Sequence, residues 1–154
     1  MNKRGFTLVE VIIVSALILL LSLTAFQTAD IVNTREKEER LRISLLEMRA
    51  AIDRFQQNDH DGDNEHRFPL TINELLTNKD PNTGGFYLRR LPLNPFLGET
   101  KWDIASKTTL DGSSDHWEEI SNPMQGMSDN TPIVDIRCSS TVGISLNGTP
   151  YKNW

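Results

Sequence analysis

Lys3-Arg4-Gly5-Phe6-Thr7-Leu8-Val9-Glu10 opens an apolar run that continues to Phe26. Over the 21 residues from Phe6 to Phe26 the only polar side chains are Thr7, Glu10, Ser15, Ser22 and Thr24. As a helix such a segment reaches about 31 Å, enough to cross the hydrocarbon core of a bilayer. The basic residues before it, Lys3 and Arg4, are the flank that stays in the cytoplasm. A secretory signal would place a small-x-small cleavage site after its apolar region. Here the small residue, Gly5, precedes the run, and a carboxylate, Glu10, lies inside it. Ionisable groups within a membrane segment are costly, so Glu10 is a functional candidate.

This junction resembles the type IV prepilin signal, found in type IV pilins and in the pseudopilins of type II secretion. The resemblance implies cleavage between Gly5 and Phe6 by a prepilin peptidase, N-methylation of Phe6, and the family's assembly role for Glu10. It divides the chain into a leader (1–5), a transmembrane and filament-core helix (6–28) and a head (29–154). The alternative is an ordinary signal anchor with a chance glutamate.

The remaining composition is that of one globular domain. Of 154 residues, 38% are hydrophobic and 24% charged, which argues against general disorder. The formal charge of −5 becomes −7 once Lys3 and Arg4 are lost. An acidic mature chain without a basic stripe to neutralise phosphates argues against nucleic acid, and no nucleic-acid partner is expected. The single cysteine, Cys138, permits no intrachain disulfide and reads as a buried small hydrophobe.

Neither proline nor glycine interrupts the chain between Phe6 and Gln57, so the helix is expected to run to about Gln57. Past the apolar run comes Arg35-Glu36-Lys37-Glu38-Glu39-Arg40, with opposite charges at helical spacing. It reads either as a solvated neck or as a surface that meets neighbours. Leu41, Leu45, Met48, Ile52 and Phe55 then recur every three or four residues as one apolar stripe, with Glu47, Arg49, Asp53 and Arg54 expected on the opposite face. The stripe needs a sheet to cover it.

Asn58 to Glu65 ends the helix in turn formers. Its Asp59, Asp61 and Asp63 imitate half a calcium loop, but the later positions of that motif do not match, and a solvated turn is expected. Thr71-Ile72-Asn73-Glu74 has the form of a capping box and predicts a short helix through Leu76. Lys79 to Gly85 reads as a loop. Strands are predicted at Thr100–Ala105, His116–Ile120, Ile133–Cys138 and Thr141–Leu146, with a tight turn at Asn147-Gly148. The expected fold is α+β: a long N-terminal helix, transmembrane in its first half, packed by its second half on a small antiparallel sheet of three or four strands.

The head narrows the resemblance. A short helix, a Gly-rich loop, Tyr87-Leu88-Arg89-Arg90-Leu91-Pro92 and then Pro95-Phe96-Leu97-Gly98 look like the major pseudopilin of type II secretion. Pro92 and Pro95 exclude a regular central strand and would pin an extended segment across helix and sheet. Major pseudopilins hold calcium in an acidic C-terminal loop, whereas this sequence has no Asp or Glu after Ile136. Asp111, Asp115, Glu118 and Asp129 are the oxygen donors that could take calcium here; the alternative is a solvated acidic loop. No other cofactor is implied.

By resemblance the chain is a structural subunit of a type II secretion pseudopilus; the alternatives are a type IV pilus pilin and, in a different class, a membrane-anchored periplasmic binding protein or enzyme. The implied partners are further copies in a helical filament, the prepilin peptidase, an inner-membrane assembly platform with minor pseudopilins, and the lipid bilayer before assembly. The implied location is the bacterial inner membrane, single-pass, with the head in the periplasm and the filament in the periplasm or at the cell surface. No nucleophile elbow, phosphate loop or His-Glu metal motif is present, so no enzyme activity is expected.

Overall fold

A computed structural model describes residues 5–58, 67–106, 117–128 and 130–154, without the side chains of 23–28. Helix α1 (Leu8–Gln57) is unbroken over 50 residues, as the lack of helix breakers dictates. The chain forms two compact units, Met1–Glu36 and Lys37–Trp154.

In the first unit the apolar side chains point to solvent, from Leu8 at 76% exposure to Leu21 at 70%. The hydroxyls among them are satisfied locally. Ser15 donates to the Val11 carbonyl and Ser22 to that of Ile18, both at 2.8 Å, so neither needs water. Among the described residues no helix is long and apolar enough to cross a membrane. The described side chains of the expected 6–28 span end at Ser22.

The second unit contains the core. Leu41, Leu45, Met48, Ala51, Ile52 and Phe55 of α1 are buried together with Trp102, Ile104, Ile133 and Ile136 of the sheet. The predicted stripe is therefore the helix side of the core. Three antiparallel strands, β1 (Trp102–Ser106), β2 (Trp117–Ile120) and β3 (Ile133–Cys138), lie in the order β2-β1-β3. Central β1 pairs Trp102 with Ile120 on one side and with Cys138 on the other. A bulge at Ala105/Ser106 shifts the β1–β3 register.

Helix α2 (Ile72–Thr77) begins as its sequence predicts. The Glu74 carboxylate accepts the amide protons of Leu70 and Thr71, each at 3.2 Å, satisfying donors that the helix start leaves open. Gly126 packs so closely on the Leu70 carbonyl that a β-carbon would collide with it. The proline segment is irregular, and it carries buried Leu91 and Asn94. The Trp102 indole donates to the Pro92 carbonyl at 3.0 Å, which fixes that segment to β1.

One expected strand is absent. Thr141–Leu146 forms turns and a single bridge, Ile144 to Pro150. Val142 donates back to the Ser139 carbonyl, and Gly148 to that of Ser145 at 2.9 Å. These local bonds take up the groups that a ladder would use. The second turn is the one expected at Asn147-Gly148, and Gly148 has φ +80°, a conformation that favours glycine.

Candidate functional site

The N-terminal segment enters α1 through Thr7. Its hydroxyl accepts the Glu10 amide proton at 3.3 Å, and its carbonyl accepts that of Val11 at 3.2 Å. Thr7 is thus the helix N-cap, and Glu10 stands in the first turn, where a negative charge complements the helix dipole. Sequence reading singled out Glu10 and passed over Thr7. The Thr-x-x-Glu spacing from 7 to 10, which also announces α2, is the signal that finds it. Gly5 precedes the cap with open space around its α-carbon. Phe6 is 80% exposed. Gly5 and Phe6 precede α1 and Glu10 lies in its first turn, all three exposed on a mostly apolar segment.

In the head, the neck is not wholly solvated. Glu38 accepts hydrogen bonds from the Tyr151 hydroxyl at 2.9 Å and the Leu146 amide at 2.8 Å. Burial, reinforced by that carboxylate, pushes the Tyr151 phenol up to about 12. Two arginines assigned to the face opposite the core reach inward instead. Arg49 binds Asp135 of β3 at 2.8 Å and the Trp154 carbonyl at 2.7 Å. Arg54 donates to the Tyr87 carbonyl at 2.7 Å. Their long side chains bring the charge back to the edge of the core, which periodicity does not register.

At the end of α1, Asn58 donates to Asp80 at 3.1 Å and to the Tyr87 hydroxyl at 3.0 Å. Asp80 also accepts the Asn82 amide proton at 2.8 Å. That backbone bond is the main cause holding its carboxyl below the usual range, against the opposing effect of burial. On the sheet, burial raises the Asp103 carboxyl while Arg137, at 3.3 Å, opposes the shift. Cys138 is free and buried, and burial pushes its thiol up, the opposite of an activated nucleophile. Its side chain accepts a contact from buried Asn94 at 3.5 Å.

Of the candidate calcium donors, Asp111, Asp115 and Asp129 lie outside the described residues, as do the acidic turn 59–65, His60, His66 and His116. Glu118 accepts both the amide and the hydroxyl protons of Ser128. Among the described residues no group of three His, Cys, Asp or Glu side chains is placed to hold a metal ion.

No curated protein and no solved structure matches the chain. Residues 1–26 match the family model described as the prokaryotic N-terminal methylation motif. The matched stretch contains Gly5, Phe6, Thr7 and Glu10, and it supports a type IV pilin-like protein with a prepilin-type N-terminus.

Proposed function

We propose that the chain is a structural subunit of a type II secretion pseudopilus, cleaved between Gly5 and Phe6, methylated on Phe6, and assembled from the inner membrane into a helical filament. The observation that carries the proposal is the exposed apolar surface of α1 from Leu8 to Leu21, directly behind the methylation motif. A helix apolar on all sides belongs in lipid or inside a bundle of other helices. A filament subunit uses both: residues 6–28 span the membrane first and are reburied by neighbouring copies on assembly. Glu10 tolerates that environment when it meets a cation, and the α-amino group of Phe6 from an adjacent copy supplies one. Residues 29–154 form the periplasmic head.

The narrower assignment to a pseudopilus rests on the likeness of Tyr87–Pro92 and Pro95–Gly98 to the major pseudopilin. One observation favours a type IV pilus instead: the chain has no Asp or Glu after Ile136. A neighbouring secretin gene with a secretion ATPase favours the first, and a retraction ATPase the second.

Intact-mass measurement of the mature chain tests the processing step. Loss of Met1 to Gly5 with gain of one methyl group is expected. A mature chain that retains Met1, or one that begins beyond Phe26, contradicts the proposal.

A further inference from the structure

The turn that closes the C-terminal segment carries a reactive pair. Among the asparagines only Asn147 is followed by glycine. Asn94 and Asn122 precede prolines, whose nitrogen bears no proton. Asn147 and Gly148 are both exposed, within the turn bridged by Ile144 and Pro150. Nothing lies within 4 Å of the position a β-carbon would take on Gly148, so the preceding side chain can approach its nitrogen. Two sets of bonds hold this turn. The Gly148 amide donates to the Ser145 carbonyl at 2.9 Å. The hydroxyl of buried Ser145 accepts the Thr149 amide proton at 3.2 Å and lies 2.9 Å from the Thr149 hydroxyl.

We propose that Asn147 is a site of spontaneous deamidation, through a cyclic imide with Gly148, and that the Ser145–Thr149 clamp governs its rate. The Gly148 nitrogen gives its proton to a solvent base and attacks Cγ of Asn147. The nitrogen–Cγ bond forms, the Cγ–Nδ2 bond breaks, and Nδ2 takes a proton and leaves as ammonia. Water then opens the imide. Opening at Cγ leaves aspartate. Opening at the backbone carbonyl leaves isoaspartate, with Cβ and Cγ now part of the main chain. Water enters and ammonia leaves, so no other reactant is needed. The Gly148 nitrogen cannot attack while its proton is held by the Ser145 carbonyl. Local opening of the turn therefore sets the rate, and the Ser145 hydroxyl bonds to Thr149 oppose that opening. Isoaspartate also lengthens the main chain next to Leu146, whose amide donates to Glu38 at 2.8 Å. The product thus loosens the turns where they fasten to α1.

Peptide mapping by mass spectrometry tests it on the full-length chain in detergent. The chain is held in mildly alkaline buffer, both native and in denaturant. The peptide containing Asn147 should gain the mass of an amide-to-acid conversion in both, more slowly in the native chain. Part of the product should accept a methyl group from isoaspartyl methyltransferase. The gain should slow in mildly acidic buffer and disappear in Asn147→Gln. Ser145→Ala removes the clamping hydroxyl and should speed native conversion severalfold, with the rate in denaturant unchanged. Thr149→Val, at an exposed position, removes the same hydroxyl contact without touching a buried residue and should act in the same direction. No mass gain in the native chain once the denatured chain has converted, or none in either, overturns the inference. So does a gain at other asparagines as fast as at Asn147. Native rates in Ser145→Ala and Thr149→Val equal to the parent's overturn the clamp's role.

Discussion

The Tyr151 hydroxyl and the Glu38 carboxylate meet at 2.9 Å, joining residues 113 positions apart and fastening the C-terminal turns to the neck of α1. The tilted Phe96 ring lies against Tyr151 with ring centroids 4.4 Å apart, and Trp154 meets it edge-on at 5.2 Å. A charge in the middle of the solvated-looking run 35–40 thus serves the head. Glu38→Ala leaves the Tyr151 hydroxyl and the Leu146 amide without this acceptor. It should destabilise the head by about 1–3 kcal/mol, read as a lowered melting temperature by tryptophan fluorescence in detergent. Buried Trp102 makes that signal report on the core. An unchanged melt would show that the bond contributes nothing.

The same pair predicts an alkaline limb. The folded Tyr151 phenol is raised from 10.0 to about 12. Between those values the unfolded chain has released this proton and the folded chain has not. Stability is therefore fully present below pH 10 and lost as pH rises towards 12. Tyr151→Phe should flatten this limb only in part, because burial also raises Tyr87. Equal slopes for parent and Tyr151→Phe would contradict the shift.

Asp80 predicts the opposite limb. Its folded carboxyl lies below the ordinary 3.8, so its contribution is present above that value and lost as pH falls through the lower, folded value. Asp80→Asn should melt lower at neutral pH and lose less on acidification than the parent. Parallel acid curves would show that the Asn82 and Asn58 bonds do not favour the charged form.

The core stripe gives a larger effect. Phe55 is buried against Tyr87 with ring centroids 5.3 Å apart. Phe55→Ala removes that contact and opens a cavity, at a cost of about 3–5 kcal/mol. Chemical denaturation of the head should show a clearly lower midpoint. A cost below about 1 kcal/mol would mean the site is not core.

What was legible in the sequence followed from local rules. The helix stripe, the α2 capping box, strand β3 and the Gly148 turn each depend on spacing or on one residue's backbone freedom. Thr141–Leu146 misled because its alternation looks strand-like. The outcome was decided by Ser139 and Ser145, whose carbonyls capture Val142 and Gly148 and close turns before any ladder can form. Helical phase assigns Arg49 and Arg54 to the face opposite the core, and the charged run 35–40 assigns Glu38 to a solvated neck or a surface that meets neighbours. Their partners, Asp135, Tyr87 and Tyr151, come from 86, 33 and 113 residues away, and no periodicity carries that information. At the N-terminus the motif was readable residue by residue because peptidase recognition and helix capping both act on a contiguous segment. The capping role of Thr7 is harder to read, because its Thr-x-x-Glu pattern lies inside an apolar run rather than ahead of one.

The decisive measurement is filament assembly by Glu10→Ala. An unpaired carboxylate in hydrocarbon is costly, so in a mere anchor its removal should do no harm. In a filament subunit it removes the partner of a neighbour's Phe6 ammonium. Membrane insertion and cleavage at Gly5-Phe6 should therefore be normal in Glu10→Ala, while sheared filaments and cross-linked multimers are largely lost and Glu10→Asp is intermediate. Assembly of Glu10→Ala equal to the parent's would contradict the docking role of Glu10 and favour an anchored, non-filamentous protein.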